Sequence, residues 1–296
     1  MFSLKSILGC GLLLSSVTAQ VAPGRTTGTV YYNAASGFSL KMGVLDPIGV
    51  SWGSYTDMNG TASAFGQLSI TTTSASGAYN DTIQMYAAGY LEGALTMSRI
   101  SSHLINVFQW LESQFKNGIP PAIDQFFITQ DAYARANVAS NTSSPIWQST
   151  GLLLSQMDGL YAGYNAQAAV SGGRPLTMYD FQKINAIGDF LDLIPALSVE
   201  DSWDWTLMTD QELIDRVRKT THCSAFVKVT GDLSEMYFSH AAWFIWQSTT
   251  VSVIKTFLLF SSSIHPLLTY SYLPFFSAPL LFILYLPLPI YLPSSL

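Results

Sequence analysis

The sequence is short of charge. Only 11% of its 296 residues are Asp, Glu, Lys or Arg, less than half of the roughly 25% of an ordinary soluble domain. Thirteen Lys and Arg stand against nineteen Asp and Glu, and the basic residues form no cluster. This excludes a nucleic-acid binder, which needs grouped cations to neutralise phosphates. The 49% hydrophobic content excludes a disordered polar tail, which lacks the apolar side chains to fold. Cysteine is nearly absent. The two residues, Cys10 and Cys223, cannot staple a small scaffold. A phosphate cradle is missing as well, because no Lys-Ser/Thr follows Gly172-Gly173, which reads as a turn. There is no internal repeat. A chain of this length holds one large domain or two modest ones.

What is present begins with a signal. Residues 1–19 carry one positive charge, Lys5, an apolar run, and Val17-Thr18-Ala19. They read as a secretory signal peptide cleaved after Ala19. Three sequons follow, at Asn59, Asn80 and Asn141, each among Gly, Ser, Thr or Asp as surface loops are. A secreted or lysosomal/endosomal lumenal glycoprotein is expected. Cys10 leaves with the signal, so Cys223 stays as a lone thiol. In an oxidising compartment such a thiol is buried, cross-linked or used.

The other end is unusual. Residues 256–296 hold no Asp, Glu, Lys or Arg but six prolines. A spanning helix wants ~20 apolar residues with internal backbone bonds, and prolines delete those bonds. A lipid-anchor signal has only the Ser261–Ser263 triplet in its favour. From Leu258 onward Leu, Phe, Ser and Pro supply 29 of 39 residues, all with pyrimidine-rich codons. A translated intron is therefore the favoured reading of residues 258–296.

Between the ends, residues 26–73 are rich in Gly, Ser, Thr, Val and Tyr with turn breaks and read as short antiparallel strands. Residues 80–116 place apolar residues three and four apart, as a helix does. Helices are also expected over 122–137, 146–168 and 177–190, the last capped by Thr177 with Asp180 in its first turn, and after Asp210 as a cap. The combination predicts an α+β fold.

Cys223–Val229 and Glu235–Trp243 read as two strands of a hairpin around Thr230–Leu233. Pairing Val229 with Ser234 sets Cys223 opposite His240, and opposed residues place their Cβ atoms ~5 Å apart. A thiol beside an imidazole is a nucleophile with a partner. A core cysteine and a hydrogen-bonded strand histidine are the commoner roles of these residue types, and spacing alone leaves both open. The Trp203-Asp204-Trp205 cluster reads as core or as a lipid-facing patch. Asp189 and Asp192 share a helical face and read as a solvated or capping pair ahead of a metal or acid/base pair.

HCSAFVKV (222–229) followed by SHAAW (239–243) resembles the nucleophile segment of the phospholipase B-like family. The resemblance extends to NDTIQMYAAGYLEGALT (80–96), to PIWQSTGLLLSQMDGLYAGYN (145–165) and to LTMYDFQKINAIGDFLDL (176–193). It runs from about residue 50 to Phe257. It implies an N-terminal nucleophile hydrolase of layered αββα type. Residues 20–222 would be its helix-rich part and 223–257 the start of the nucleophile-bearing sheet. It further implies self-cleavage between His222 and Cys223, with Cys223 as nucleophile and His240 and Trp243 lining the site. The implied substrate is a phospholipid or other acyl lipid, with contact to a membrane surface and no metal or organic cofactor.

Two departures qualify this. Phe244-Ile245-Trp246 stand where the family carries a polar or acidic pair and a tyrosine. Family chains are about twice as long, so the domain is expected to be incomplete at its C-terminus and this exact chain inactive. The alternatives are an N-acyl amidase of the same fold and a non-catalytic membrane-tethered or secreted glycoprotein.

Overall fold

A strand of a half-covered sheet alternates in burial, as its pleat requires. The clearest case is β4, Gly66–Thr72, where Leu68 and Ile70 are buried while Gln67 and Ser69 are exposed. A computed structural model describes residues 24–57, 59, 66–72, 79–114, 119–197, 204–220, 224–241, 247, 253–259, 268–272 and 284–285. The other strands of this first block are β1 (Arg25–Asn33), β2 (Gly37–Met42) and β3 (Ser51–Thr56). All pair antiparallel, as the sequence led us to expect. They join β7 (Val253–Leu259), β8 (Leu268–Tyr272) and β9 (Leu284–Tyr285) in one seven-stranded sheet of order β2-β1-β3-β4-β7-β8-β9. Among the described residues only β4 and β7 run parallel.

Strand β7 crosses the expected boundary between Phe257 and Leu258 without a break. Strand β8 itself contains no proline, so none of its ladder donors is deleted. Among the described residues no helix is long and apolar enough to cross a membrane.

Seven helices are described: α1 (Asp81–Leu95), α2 (Met97–Gln114), α3 (Pro121–Ser140), α4 (Pro145–Ser171), α5 (Met178–Asn185), α6 (Ile187–Leu197) and α7 (Asp210–Thr220). The periodic stretch 80–116 is thus two helices. Its break is Thr96, whose hydroxyl donates back to the Glu92 carbonyl while its own carbonyl accepts from Arg99 and Ile100. The stretch 177–190 likewise divides at Ala186. Thr177 caps α5 in a full capping box with Asp180, as expected. The cap of α7 is Thr209 and not Asp210: Thr209 accepts from Glu212 N–H, and the Glu212 carboxylate accepts from Thr209 N–H at 2.9 Å. Asp210 sits one step inside, where its charge favours the positive helix end.

Helix α1 lies on one face of the sheet. Leu91, Ala87 and Met85 pack with Val30, Tyr55, Leu68 and Ile70. Ser51 ties the two layers by donating to the Ala87 carbonyl at 2.8 Å. Helix α4 packs on α1 at glycines. A Cβ added at Gly89 would stand 2.0 Å from the Gln156 carbonyl oxygen, and one at Gly163 would stand 1.9 Å from that of Tyr90. Beyond this pair, Tyr164, Phe181 and Leu104 fill a second core with α2 and α5. Phe127, Phe190 and Leu111 fill a third with α3 and α6. The described residues form an α+β molecule in which α1 covers one sheet face and α4 packs on α1.

Candidate active site

The hairpin expected to carry the chemistry is present. Strands β5 (Ser224–Val229) and β6 (Met236–Ala241) form a separate two-stranded antiparallel sheet. Its register differs from expectation by two. Val229 pairs with Met236, and His240 pairs with Ala225 rather than with Cys223. The reason is the turn, which takes six residues, Thr230–Glu235. Thr230 N–H donates to the Glu235 carbonyl at 2.9 Å, Glu235 N–H returns to the Thr230 hydroxyl at 3.0 Å, and Leu233 adopts a positive φ of 59°. The Asp232 carboxylate accepts from Ser234, and hydrogen bonds from Thr230 and Ser234 hold its pKa down at about 2. An offset of two keeps the pleat parity expected of the two strands. Cys223, His222 and Trp243 lie outside the described residues.

The hairpin is apolar and uncovered among the described residues. Phe226, Val229, Met236 and Tyr237 are about half exposed, and Val227 is 66% exposed. Such side chains on an isolated two-stranded sheet are built to pack on something.

The other candidates resolve individually. Asn59, Asn80 and Asn141 are all exposed. Asn80 caps α1 by accepting from Ile83 N–H through Oδ1 at 2.9 Å, which leaves its amide nitrogen clear of that bond. Asn141 spends its amide nitrogen on Asn137 and Ser140 at the end of α3. Asp204 caps the short 3-10 turn Trp205–Leu207, and Trp205 is half exposed, while Trp203 falls outside the described residues. Burial, with the neighbouring Asp192 charge, pushes the Asp189 carboxyl up. Gly172 ends α4 in the left-handed region, as a turn glycine should. Among the described residues no group of three or more His, Cys, Asp and Glu could hold a metal ion.

One ordered surface escaped the spacing arguments. The β2–β3 connection, residues 43–50, crosses β1 on the face opposite α1 and rests on Thr29. The Thr29 hydroxyl donates to the Val44 carbonyl at 2.8 Å and accepts from Asp46 N–H at 3.0 Å. Its sequence signal is a short apolar run punctuated by Gly and Pro, which is too common to single out.

The chain matches the Phospholipase B family over residues 51–279. The match takes in every element from β3 to β8, and it continues past Phe257, where the resemblance was expected to end. The chain is similar to Phospholipase-B 81 of Drysdalia coronoides, with 35% identity covering 81% of this chain and 43% of that protein. Phospholipase B of Crotalus adamanteus is 36% identical over the same shares of the two chains. Phospholipase B-like 1 of Rattus norvegicus is 33% identical, over 79% of this chain and 42% of its own. The chain thus spans less than half the length of these relatives.

Proposed function

Because the chain belongs to the phospholipase B family, we propose that the protein is a phospholipid fatty-acyl ester hydrolase working through Cys223. The observation that carries this is the family match, whose residues 51–279 take in the hairpin, with His222-Cys223 directly preceding β5 in the sequence and the His240-x-x-Trp243 pattern starting in β6. The sheet and its helical cover would then be two layers of an αββα arrangement. The signal sequence would route the protein to a secreted or lysosomal location.

Activation begins with the Cys223 thiol attacking the carbonyl carbon of His222. The C–N bond to Cys223 breaks, and an N→S acyl shift leaves a thioester. Water hydrolyses the thioester, so His222 becomes a C-terminal carboxylate and Cys223 gains a free α-amine. An α-amine has a pKa of about 8, which suits it to take the thiol proton at working pH. The thiolate attacks the ester carbonyl of the lipid, and the ammonium returns the proton to the departing lysolipid alcohol. A water molecule then releases the fatty acid from the acyl-thioester. His240 serves as a hydrogen-bond partner for the reacting group and Trp243 as an apolar wall for the acyl chain.

The test is intact-mass and N-terminal analysis of the protein expressed from its complete message. A new N-terminus at Cys223, lost in Cys223→Ala together with phospholipid hydrolysis, is the expected result. A single uncleaved chain that still hydrolyses lipid would overturn the mechanism. Cleavage that persists in Cys223→Ala would do the same.

A further inference from the structure

We infer that Asn80 carries an N-linked oligosaccharide on its amide nitrogen while its amide oxygen caps α1, and that Asn141, whose nitrogen is held inside the fold, carries none. The inference rests on the secretory routing proposed above and is independent of Cys223 and of lipid hydrolysis.

Asn80-Asp81-Thr82 is a sequon, an acceptor asparagine with a hydroxyl two residues on. Asn80 and Thr82 are both exposed. Asn80 is extended, with φ −71° and ψ 167°, one residue before the helix. Its Oδ1 accepts from Ile83 N–H at 2.9 Å. That bond identifies the oxygen, since a nitrogen there would set donor against donor. An amide is planar, so an oxygen aimed at the helix end turns its nitrogen outward. Among the described residues Asn80 Nδ2 donates to nothing. A cap alone has no use for that nitrogen, because Asp or Ser serves as well. Asn keeps the cap and leaves a place for a sugar.

Asn141-Thr142-Ser143 has the same pattern and the opposite geometry. Asn141 ends α3, and its Nδ2 donates to the Asn137 carbonyl at 3.1 Å, to Asn137 Oδ1 at 3.2 Å and to Ser140 Oγ at 3.1 Å. The Asn141 carbonyl accepts from Ser144 N–H at 3.0 Å, and the Gln148 amide donates to the Thr142 carbonyl at 2.8 Å. The sequon is thereby folded into the α3–α4 turn. Both asparagines are exposed, so what separates them is the use of the nitrogen. Transfer of the sugar forms a bond from its C1 to Nδ2, breaks the bond from C1 to a lipid-linked diphosphate, and releases one amide proton. At Asn80 this leaves the cap whole. At Asn141 it removes a donor hydrogen and fills the space beside the acceptors that hydrogen served. Transfer precedes folding, so the fold acts by selection: chains modified at Asn141 lose bonds at the end of α3 and fold less well.

The experiment expresses the protein from its complete message in a eukaryotic secretory host. Peptides of the secreted or lumenal protein are mapped by mass after an amidase releases the glycans in heavy-oxygen water. Release turns each glycan-bearing Asn into Asp and marks it with heavy oxygen. The mark should fall on Asn80 and be absent from Asn141. Asn80→Asp should lose the mass of one oligosaccharide and keep the cap, because Asp caps a helix as Asn does. Asn80→Ala should lose the same mass and the cap, so after glycan release it should melt below Asn80→Asp. Where Asn80→Ala fails to fold, the wild-type map still decides the sugar. A secreted protein bare at Asn80 overturns the inference. So does a folded protein marked at Asn141, and so does an Asn80→Ala protein that melts with Asn80→Asp. A chain that stays in the cytosol with its signal attached refutes the routing, and where the protein is found tells this failure from the first.

Discussion

Asp180 does two jobs at the start of α5. Its carboxylate accepts from the backbone N–H and the hydroxyl of Thr177 at 2.9 and 2.7 Å, and it faces the Lys183 ammonium at 3.6 Å. That ammonium also lies over the Phe108 and Tyr179 rings, at 4.3 and 4.2 Å from their centroids. Burial pushes the Asp180 carboxyl up, but the Thr177 hydrogen bonds and Lys183 outweigh it, so it sits below the usual carboxylate range. A carboxyl whose folded pKa is lowered adds stability that is complete above its unfolded value, about 3.9. That stability is lost as pH falls through the lower folded value. Asp180→Asn should therefore cost about 1 kcal/mol at neutral pH. In urea melts taken at stepped pH the gap to wild type should hold through mildly acidic conditions and close only in strong acid. A gap that survives there would assign the effect to shape and not to charge. Asn165 is a second side chain that stands in for backbone: its amide pairs with both the N–H and the carbonyl of Leu176, at 2.9 and 3.0 Å. It holds the stretch between α4 and α5 in place.

Among the elements, the α1–α4 pair is where sequence and packing bind most tightly. Gly89 and Gly93 on α1 meet Gly159 and Gly163 on α4, each facing a carbonyl of the other helix. Alanine is the better helix former by about 1 kcal/mol, so propensity alone would make Gly163→Ala stabilising. Contact reverses the sign, because the new methyl would stand 1.9 Å from the Tyr90 carbonyl oxygen. Forcing the helices apart should cost about 1–3 kcal/mol, read as a lower melting temperature. The outward-facing Gly172→Ala is a less direct comparison, since its left-handed φ of 71° carries a penalty of its own. A Gly163→Ala protein as stable as wild type would show that the helices can separate freely.

At the scale of the molecule, burial among the described residues is concentrated in the sheet and the helices on it. The sheet, α1 and α4 share a buried core, whereas the β5–β6 hairpin is held among the described residues by its own ladder and turn. Opening free energies follow such differences in burial. In native-state hydrogen exchange the amides of Leu91 and Tyr164 should exchange orders of magnitude more slowly than that of Val227. Equal protection would mean that the hairpin is clamped by residues beyond those described, as a nucleophile-bearing strand in a closed sheet would be.

Much of this was legible in the residues because it is local. The strand block before residue 73, the helical character of 80–116 and the Thr177–Asp180 cap follow from period and capping chemistry, which a few neighbours settle. Four ordered segments were enough to reach the family. Other features depend on distant contacts. Whether the 80–116 helix breaks at Thr96 depends on what each half packs against. The pairing of β4 with β7 joins residues far apart in the chain. His240 lies opposite Ala225 because the turn closes at Glu235, and spacing cannot distinguish a four-residue loop from a six-residue one. The outward aim of Leu45 and Ile48 was decided by Thr29 and Tyr31, which capture the Asp46 amide and carboxylate from another strand. Local preference fixes which elements form. Their register, breaks and exposed faces come from hydrogen bonds and packing that only the assembled chain can supply.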